Sequence, residues 1–290
     1  MPLSVITGTY KIQGASPDGD SIRFYPDDPG VWKKHNIAAK PNAHGGVQLR
    51  LDAIDALETH YTPPHAARAW RQPAEFGDAA SARLLAILGF KDVVRDDRGY
   101  VTSCRPTDRP GYILTRFADV YGRAVSLAFA GSRKGRASSN GTAFVNVIEM
   151  KNSVNYQLLA EGLVYPTFYS KLYVDFREVL TAAAVEAREG GVGLWADDST
   201  LEGFTLTTAD QLTDSLVILP KLFRRLAEYL TDTSGSVALS GFETFLSSHA
   251  DDKLYTVPAG QATNLDTLVE IKGRKLKLTT PPEQIVFLES

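Results

Sequence analysis

Val47, Leu49 and Leu51 alternate with Gln48, Arg50 and Asp52. That period of two is the mark of a half-buried strand and predicts one over 47–54. Residues 3–12 predict a first strand closed by Gly14, and 21–25 a second one after the Asp18-Gly19 turn signal. Two more, over 115–117 and 123–129, flank Tyr121-Gly122, and the alternation over 144–150 predicts an extra strand. Elsewhere the spacing is helical. Ala80, Leu84, Leu85 and Leu88 predict a helix over 76–88 with Gly89 as its cap. Further helices are expected over 154–161 and 171–189, the second ending at Gly190-Gly191. Residues 26–46 and 58–75 are rich in proline and polar positions and read as long irregular loops. Residues 131–141 form a low-complexity loop carrying Arg133, Lys134 and Arg136, for which a solvated basic run is the expectation.

The last ninety or so residues have their own pattern. Thr208-x-x-Gln211 resembles a capping box. Leu216, Leu219, Leu222, Phe223, Leu226 and Leu230 lie at helical spacing, with Pro220 expected to kink or break the helix. Residues 267–271 and 275–278 flank Lys272-Gly273-Arg274 and predict a hairpin. A chain of 290 residues exceeds an average domain, so a division into 1–199 and a smaller α+β accessory region over 200–290 is expected.

Composition narrows the class. Hydrophobic residues make up 43% and charged residues 22%, as in a soluble globular protein. No apolar run approaches the length of a membrane helix, so no membrane partner is expected. The first ten residues lack a basic start followed by an apolar core, so no secretory signal is read and the cytoplasm is the default location. Cys104 is alone, which rules out an internal disulfide and suggests a buried structural thiol. His44, His60 and His65 have no zinc-like spacing. Net charge is −3, and residues 1–200 hold 23 Lys and Arg against 22 Asp and Glu. Any binding to nucleic acid must then rest on local positive charge.

The chemistry concentrates in three places. Arg50, Asp55 and Glu58 fall within nine residues; Asp20 sits in Asp18-Gly19-Asp20; Arg123 ends Asp119-Val120-Tyr121-Gly122-Arg123. Arginine is a bidentate phosphate binder, and carboxylates are ligands for hard divalent cations and candidate general bases. Taken singly, each has a plain reading. Asp20 suits a turn, Asp55 a solvated strand end, Glu58 an exposed loop, and arginines on strands are commonly surface residues. Asp52 shares the parity of Arg50 and fits either an orienting role or a polar patch.

The ordered set is more specific. Asp-Gly-Asp, then Arg50-x4-Asp55-x2-Glu58, then Asp119-x-Tyr121-Gly122-Arg123, then Val154-Asn155-x2-Leu158-Leu159-x2-Gly162-Leu163 resembles the staphylococcal nuclease (thermonuclease) family. Residues 76–88 are similar to that family's first helix, and 182–195 to its last helix and terminal tryptophan, so the likeness spans about 1–197. It implies an α+β fold built on a five-stranded β-barrel of the OB type with packed helices. It implies a calcium-dependent nuclease acting on DNA or RNA and leaving 3′-phosphate ends, with magnesium or manganese as substitutes. Asp20, Asp55 and the backbone carbonyl of Ala56 would hold the ion. Glu58 would position water, and Arg50 and Arg123 would stabilise charge on the phosphate. Tyr121 matches a substrate contact, whereas Tyr165, Phe168 and Tyr169 depart from the family's register and suit packing as well as stacking. Ala56 and Leu57 stand where the family has threonine and proline, and losing that proline removes a preset φ from the turn. The alternative is a catalytically silent nuclease-like module that binds nucleic acid or protein, as in Tudor-containing proteins. Retention of all five charged residues argues against it.

Overall fold

The computed structural model describes residues 2–133, 141–249 and 252–289. Lys134 and Arg136 of the basic run lie outside them. The elements begin with β1 (Pro2–Lys11), β2 (Ser21–Pro26), α1 (Val31–Lys34), β3 (Val47–Leu51), β4 (Ile54–Asp55) and α2 (Ala74–Leu88). They continue with β5 (Lys91–Arg95), β6 (Val101–Arg105), β7 (Asp108–Ala118), β8 (Ala124–Ala130), β9 (Thr142–Phe144), α3 (Val147–Met150) and α4 (Val154–Ala160). Then come β10 (Tyr165–Pro166), β11 (Phe168–Tyr169), α5 (Val174–Glu189), β12 (Phe204–Thr205), α6 (Gln211–Asp214), α7 (Pro220–Asp232) and α8 (Phe242–Ser247). The chain ends with β13 (Lys253–Thr256), β14 (Ala262–Asn264), β15 (Val269–Lys272), β16 (Lys275–Leu278) and β17 (Ile285–Phe287). No helix among the described residues is long and apolar enough to cross a membrane.

The chain divides into two compact units, one of residues 1–52 with 79–158 and one of 53–78 with 159–290. The position 199/200 marked by the end of the nuclease likeness falls inside the second.

The first unit is a closed five-stranded mixed barrel, β1-β2-β3-β8-β7 and back to β1, with β9 added along β1. Only β3 and β8 run parallel. Closure depends on β1, which pairs with β7 over Ser4–Lys11 and with β2 over Gly8–Tyr10. Gly8 faces Gly111 in that register. A Cβ on Gly8 would lie 2.2 Å from the Tyr25 carbonyl oxygen, and one on Gly111 2.2 Å from the Tyr10 ring. The buried Tyr10 hydroxyl donates towards the carbonyls of Tyr112 and Phe129 and accepts from the Phe129 amide at 3.2 Å. Two bare backbones and one aromatic plug therefore make the tight corner of the barrel. The expected strand over 144–150 is instead the end of β9 followed by α3, where Asn146 caps the helix by accepting from the Glu149 amide at 2.9 Å. A side-chain cap outweighed the alternation of a short apolar run.

The second unit has a four-stranded sheet, β11-β17-β13-β14, a three-stranded sheet, β12-β16-β15, and the pair β10-β4. The 272–275 hairpin forms as expected. Pro220 does not kink α7; it starts it, at a position whose amide needs no partner. The Thr208-x-x-Gln211 pattern makes the glutamine half of its box, although α6 starts later with Asp210 as N-cap. Gln211 Oε1 accepts from the amides of Thr207 and Thr208 at 2.6 and 3.1 Å.

α7 is buried on nearly every side. Leu222, Phe223, Leu226 and Leu230 enter a core with Leu57, Tyr165, Trp195, Phe204, Leu254 and Phe287. Its buried charges are paired. Arg225 forks onto Asp252 (Nε–Oδ2 2.7 Å, Nη2–Oδ1 2.8 Å), and Lys221 Nζ reaches the same carboxylate at 2.7 Å. Glu228 accepts from Arg225 Nη1 at 2.8 Å and from the Tyr61 hydroxyl.

Two stability outcomes follow from these contacts. Gly111→Ala is expected to lower the urea unfolding free energy by about 1–3 kcal/mol through overpacking at the barrel corner. Asp252→Ala removes the buried carboxylate that Lys221 and Arg225 share and is expected to cost about 3–5 kcal/mol in the same measurement. A midpoint unchanged from wild type would refute either one.

Candidate active site

In the first unit, the ladder brings the separate motifs to one stretch of barrel wall. Arg50 on β3 is the cross-strand partner of Ser21, which follows Asp20, and of Val125, two residues past Arg123. The Leu51 amide donates to the Asp20 carbonyl at 2.7 Å, which ties the Asp-Gly-Asp turn to the end of β3. Arg123 sits at the tight turn before β8. Its amide and the Tyr121 amide both donate to Asp119 Oδ1, at 2.8 and 3.0 Å, and its Nε donates to Asp119 Oδ2 at 2.6 Å. Gly122 permits the turn at φ 87°. Asp119 thus orients the Arg123 guanidinium. Tyr121 is 74% exposed, with the Arg123 guanidinium 5.5 Å from its ring centroid. Asn155 Nδ2 donates to the Asp52 and Ser126 carbonyls at 2.8 and 3.0 Å, fastening the strand end that follows Arg50.

The acids past Arg50 belong to the second unit. The chain turns at Asp52-Ala53, with Ala53 in the left-handed region at φ 69°. β4 then pairs with β10, placing Asp55 opposite Tyr165. Leu57 is buried in the second unit's core, so packing holds the turn that a proline would otherwise have preset. The loop beyond is closed by Gln72, which is 1% exposed. Its Oε1 accepts from the Glu58 amide at 3.2 Å, its own amide donates to the Glu58 carbonyl at 2.8 Å, and its Nε2 donates to the Ile218 carbonyl at 2.7 Å.

Both acids meet one guanidinium. Arg224 of α7 donates through Nη2 to Asp55 Oδ2 at 2.8 Å and through Nη1 to Asp55 Oδ1 at 3.4 Å. The same Nη1 reaches Glu58 Oε1. The Asp55 side chain is only 2% exposed and that of Arg224 19%, so the contact is largely desolvated. Burial pulls the arginine's proton affinity down. The charges of Asp55 and Glu58 outweigh it and hold the group well above its ordinary range.

Among the described residues, no cluster of three or more His, Cys, Asp or Glu side chains stands ready to hold a metal ion. Carboxylates are hard-cation ligands in kind, and in this structure those of Asp55 and Glu58 take a guanidinium.

The aromatic cluster takes a packing role. Tyr165 and Phe168 are fully buried, and Tyr169 lies against Phe287 with ring centroids 5.9 Å apart. The Tyr165 hydroxyl donates to Asp198 Oδ1 at 2.5 Å, and burial raises the proton affinity of that phenol. Arg133 of the basic run is not solvated as expected. It is mostly buried and forks onto Glu149, Nε to Oε1 at 2.6 Å and Nη2 to Oε2 at 2.8 Å.

Sequence reading missed Arg224 and Gln72. The available signal for the first was a stripe of charges, Lys221, Arg224, Arg225 and Glu228, at helical spacing on an otherwise apolar helix.

Asp198 offers a pH test of the packing beside Asp55. Burial raises its carboxyl pKa, and hydrogen bonds from Thr200 and Tyr165 only partly offset this. An acid raised on folding lends stability that is present below the usual aspartate range and lost as pH climbs through the folded value. The contacts from Tyr165 and Thr200 all end on Oδ1, an atom asparagine keeps as an acceptor. Asp198→Asn is therefore expected to be more stable than wild type at neutral pH, with the gain shrinking towards pH 4 in thermal melts; a pH-independent difference would count against it. No protein-family model matches the chain, and no curated protein is significantly similar to it.

Proposed function

We propose that the chain is a divalent-cation-dependent nuclease of the thermonuclease type, a hydrolase of phosphodiester bonds in DNA, RNA or both that leaves 3′-phosphate ends. The observation that carries this reading is the β2-β3-β8 register, which sets the Asp20 turn, Arg50 and the Arg123 turn side by side. The five-stranded barrel is compatible with the OB type, an architecture that carries ligands on one face and in its loops.

In this reading, Arg50 and Arg123 donate hydrogen bonds to the scissile phosphate, where negative charge grows during attack. The salt bridge to Asp119 holds Arg123 in a fixed rotamer before substrate arrives. Glu58 accepts a proton of the attacking water and directs its oxygen at phosphorus. The P–O5′ bond breaks and the departing oxygen takes a proton from solvent, giving a 5′-hydroxyl and a 3′-phosphate. By the family likeness, Asp20, Asp55 and the Ala56 carbonyl would hold calcium, or magnesium or manganese in its place. The bound ion would supply Lewis-acid polarisation of a phosphate oxygen. Exposed Tyr121 offers a hydroxyl and a ring face to the nucleotide.

One observation favours the second reading, a silent module that binds nucleic acid or protein: Arg224 already pairs with both acids. Cleavage separates the two. Plasmid and RNA are expected to be degraded with calcium and protected by chelator. Glu58→Gln and Arg123→Ala are expected to lose about 10²- to 10³-fold in rate with circular dichroism unchanged. Absence of cleavage with calcium, magnesium and manganese, in wild type and in Arg224→Gln alike, sinks the nuclease reading; a gel shift without hydrolysis then supports the module.

A further inference from the structure

We propose that Lys40 is a substrate-binding residue, whose ammonium takes a backbone phosphate of single-stranded nucleic acid lying over the Tyr121-Gly122-Arg123 turn. The inference rests on the nuclease reading of that turn and adds a cation from the 26–46 segment, outside the ordered motifs.

Three features carry it. The first is placement. The Lys40 amide donates to the Gly122 carbonyl at 2.9 Å, which docks its backbone on the turn. Its stem lies on the same glycine. A Cβ added to Gly122 would fall 2.6 Å from Lys40 Cδ and 2.7 Å from Lys40 Cβ, and closer still to Cγ. The ammonium is two bonds beyond Cδ, so it stays near the neighbours of Gly122, which are Tyr121 and Arg123. Any side chain at 122 would push the lysine away. Glycine therefore serves this contact as well as the φ of 87°.

The second feature is support. Val31, Trp32 and Ile37 are buried, which anchors the segment ahead of Lys40. Behind it, Asn42 Oδ1 accepts from the amides of His44 and Gly46 at 2.9 and 3.0 Å, and the Asn42 amide donates to the Gly46 carbonyl at 2.8 Å. That turn leads into β3. Lys40 is thus presented by a fixed backbone, and binding has to order only the end of its side chain.

The third feature is charge. Asp119 is matched by Arg123, Nε to Oδ2 at 2.6 Å. Lys40 is exposed, and among the described residues no carboxylate pairs with it. The turn then carries two positive groups against one negative, beside the exposed Tyr121 ring. Single strands are held by such a combination, with phosphate on the cation and a base on the ring. In a chain of net charge −3, binding depends on local cations of this kind. An ammonium on a flexible stem accepts phosphate from several directions, which suits binding without sequence preference.

The test is fluorescence anisotropy of a labelled single-stranded oligothymidylate with the full chain, in chelator so that nothing is cleaved, across a series of salt concentrations. Lys40→Met keeps an apolar stem on Gly122 and removes the charge. It is expected to bind about three- to tenfold more weakly near 50 mM salt, and to lower the slope of log affinity against log salt by about 0.7, as for one lost single-strand phosphate contact. Lys40→Arg is expected to restore both. Weaker binding with an unchanged slope assigns Lys40 to packing and overturns the proposal, as does wild-type affinity and slope in Lys40→Met. With either result, chelator-sensitive cleavage by wild type leaves the nuclease reading standing. No binding by wild type overturns the proposal outright, and cleavage again decides the nuclease reading separately. If Lys40→Met fails to fold, Lys40→Gln decides by the same two quantities.

Discussion

The fork of Arg224 on Asp55 and Glu58 is the contact on which the second unit's organisation depends. Charges withdrawn from water must be paired, and removing one partner from a buried pair costs about 3–5 kcal/mol. Once β4 and its loop are drawn into the 159–290 core by Leu57, the two acids have to find a cation there. α7 supplies it. The C-terminal region is thereby part of the environment of the most chemically suggestive acids in the chain, and both pair with a residue more than a hundred and sixty positions away.

α7 shows how such a cation is delivered. A helix buried on almost all sides would ordinarily be apolar throughout. This one carries Lys221, Arg224, Arg225 and Glu228, each with an opposite charge or a hydroxyl in reach. Asp252, which is 0% exposed, takes both Lys221 and Arg225. The apolar residues Leu222, Phe223, Leu226 and Leu230 provide the driving force for burial, and the ion pairs fix the rotation of the helix about its axis. Arg224 owes its direction to that rotation.

In the first unit, backbone register does the comparable work. β3 is held between β2 and β8, so what precedes β2 lies beside the end of β3 and what precedes β8 lies beside its middle. Asp20, Arg50 and Arg123 come from turns and strand positions separated by up to a hundred residues, and hydrogen-bond ladders align them without any direct contact being required. Asp119 then takes the Arg123 turn by its amides and its guanidinium together.

The chain's own pattern determined a good deal. Period-two alternation located β3, helical spacing located α2, and Lys272-Gly273-Arg274 located a hairpin, because each depends on neighbours within a few residues. The five charged positions of the ordered motifs were also visible, since spacing along the sequence is all that a motif requires. Local rules failed where two of them competed, as when the Asn146 cap made 147–150 helical and when Pro220 opened a helix instead of breaking it. Only the tertiary structure decided that Tyr165 and Phe168 are packing groups, that Arg133 is spent on Glu149, and that Asp55 and Glu58 share Arg224. Those outcomes depend on which distant surfaces exclude water together, and a linear pattern carries the period of a helix but not the identity of the acid its buried arginine will face.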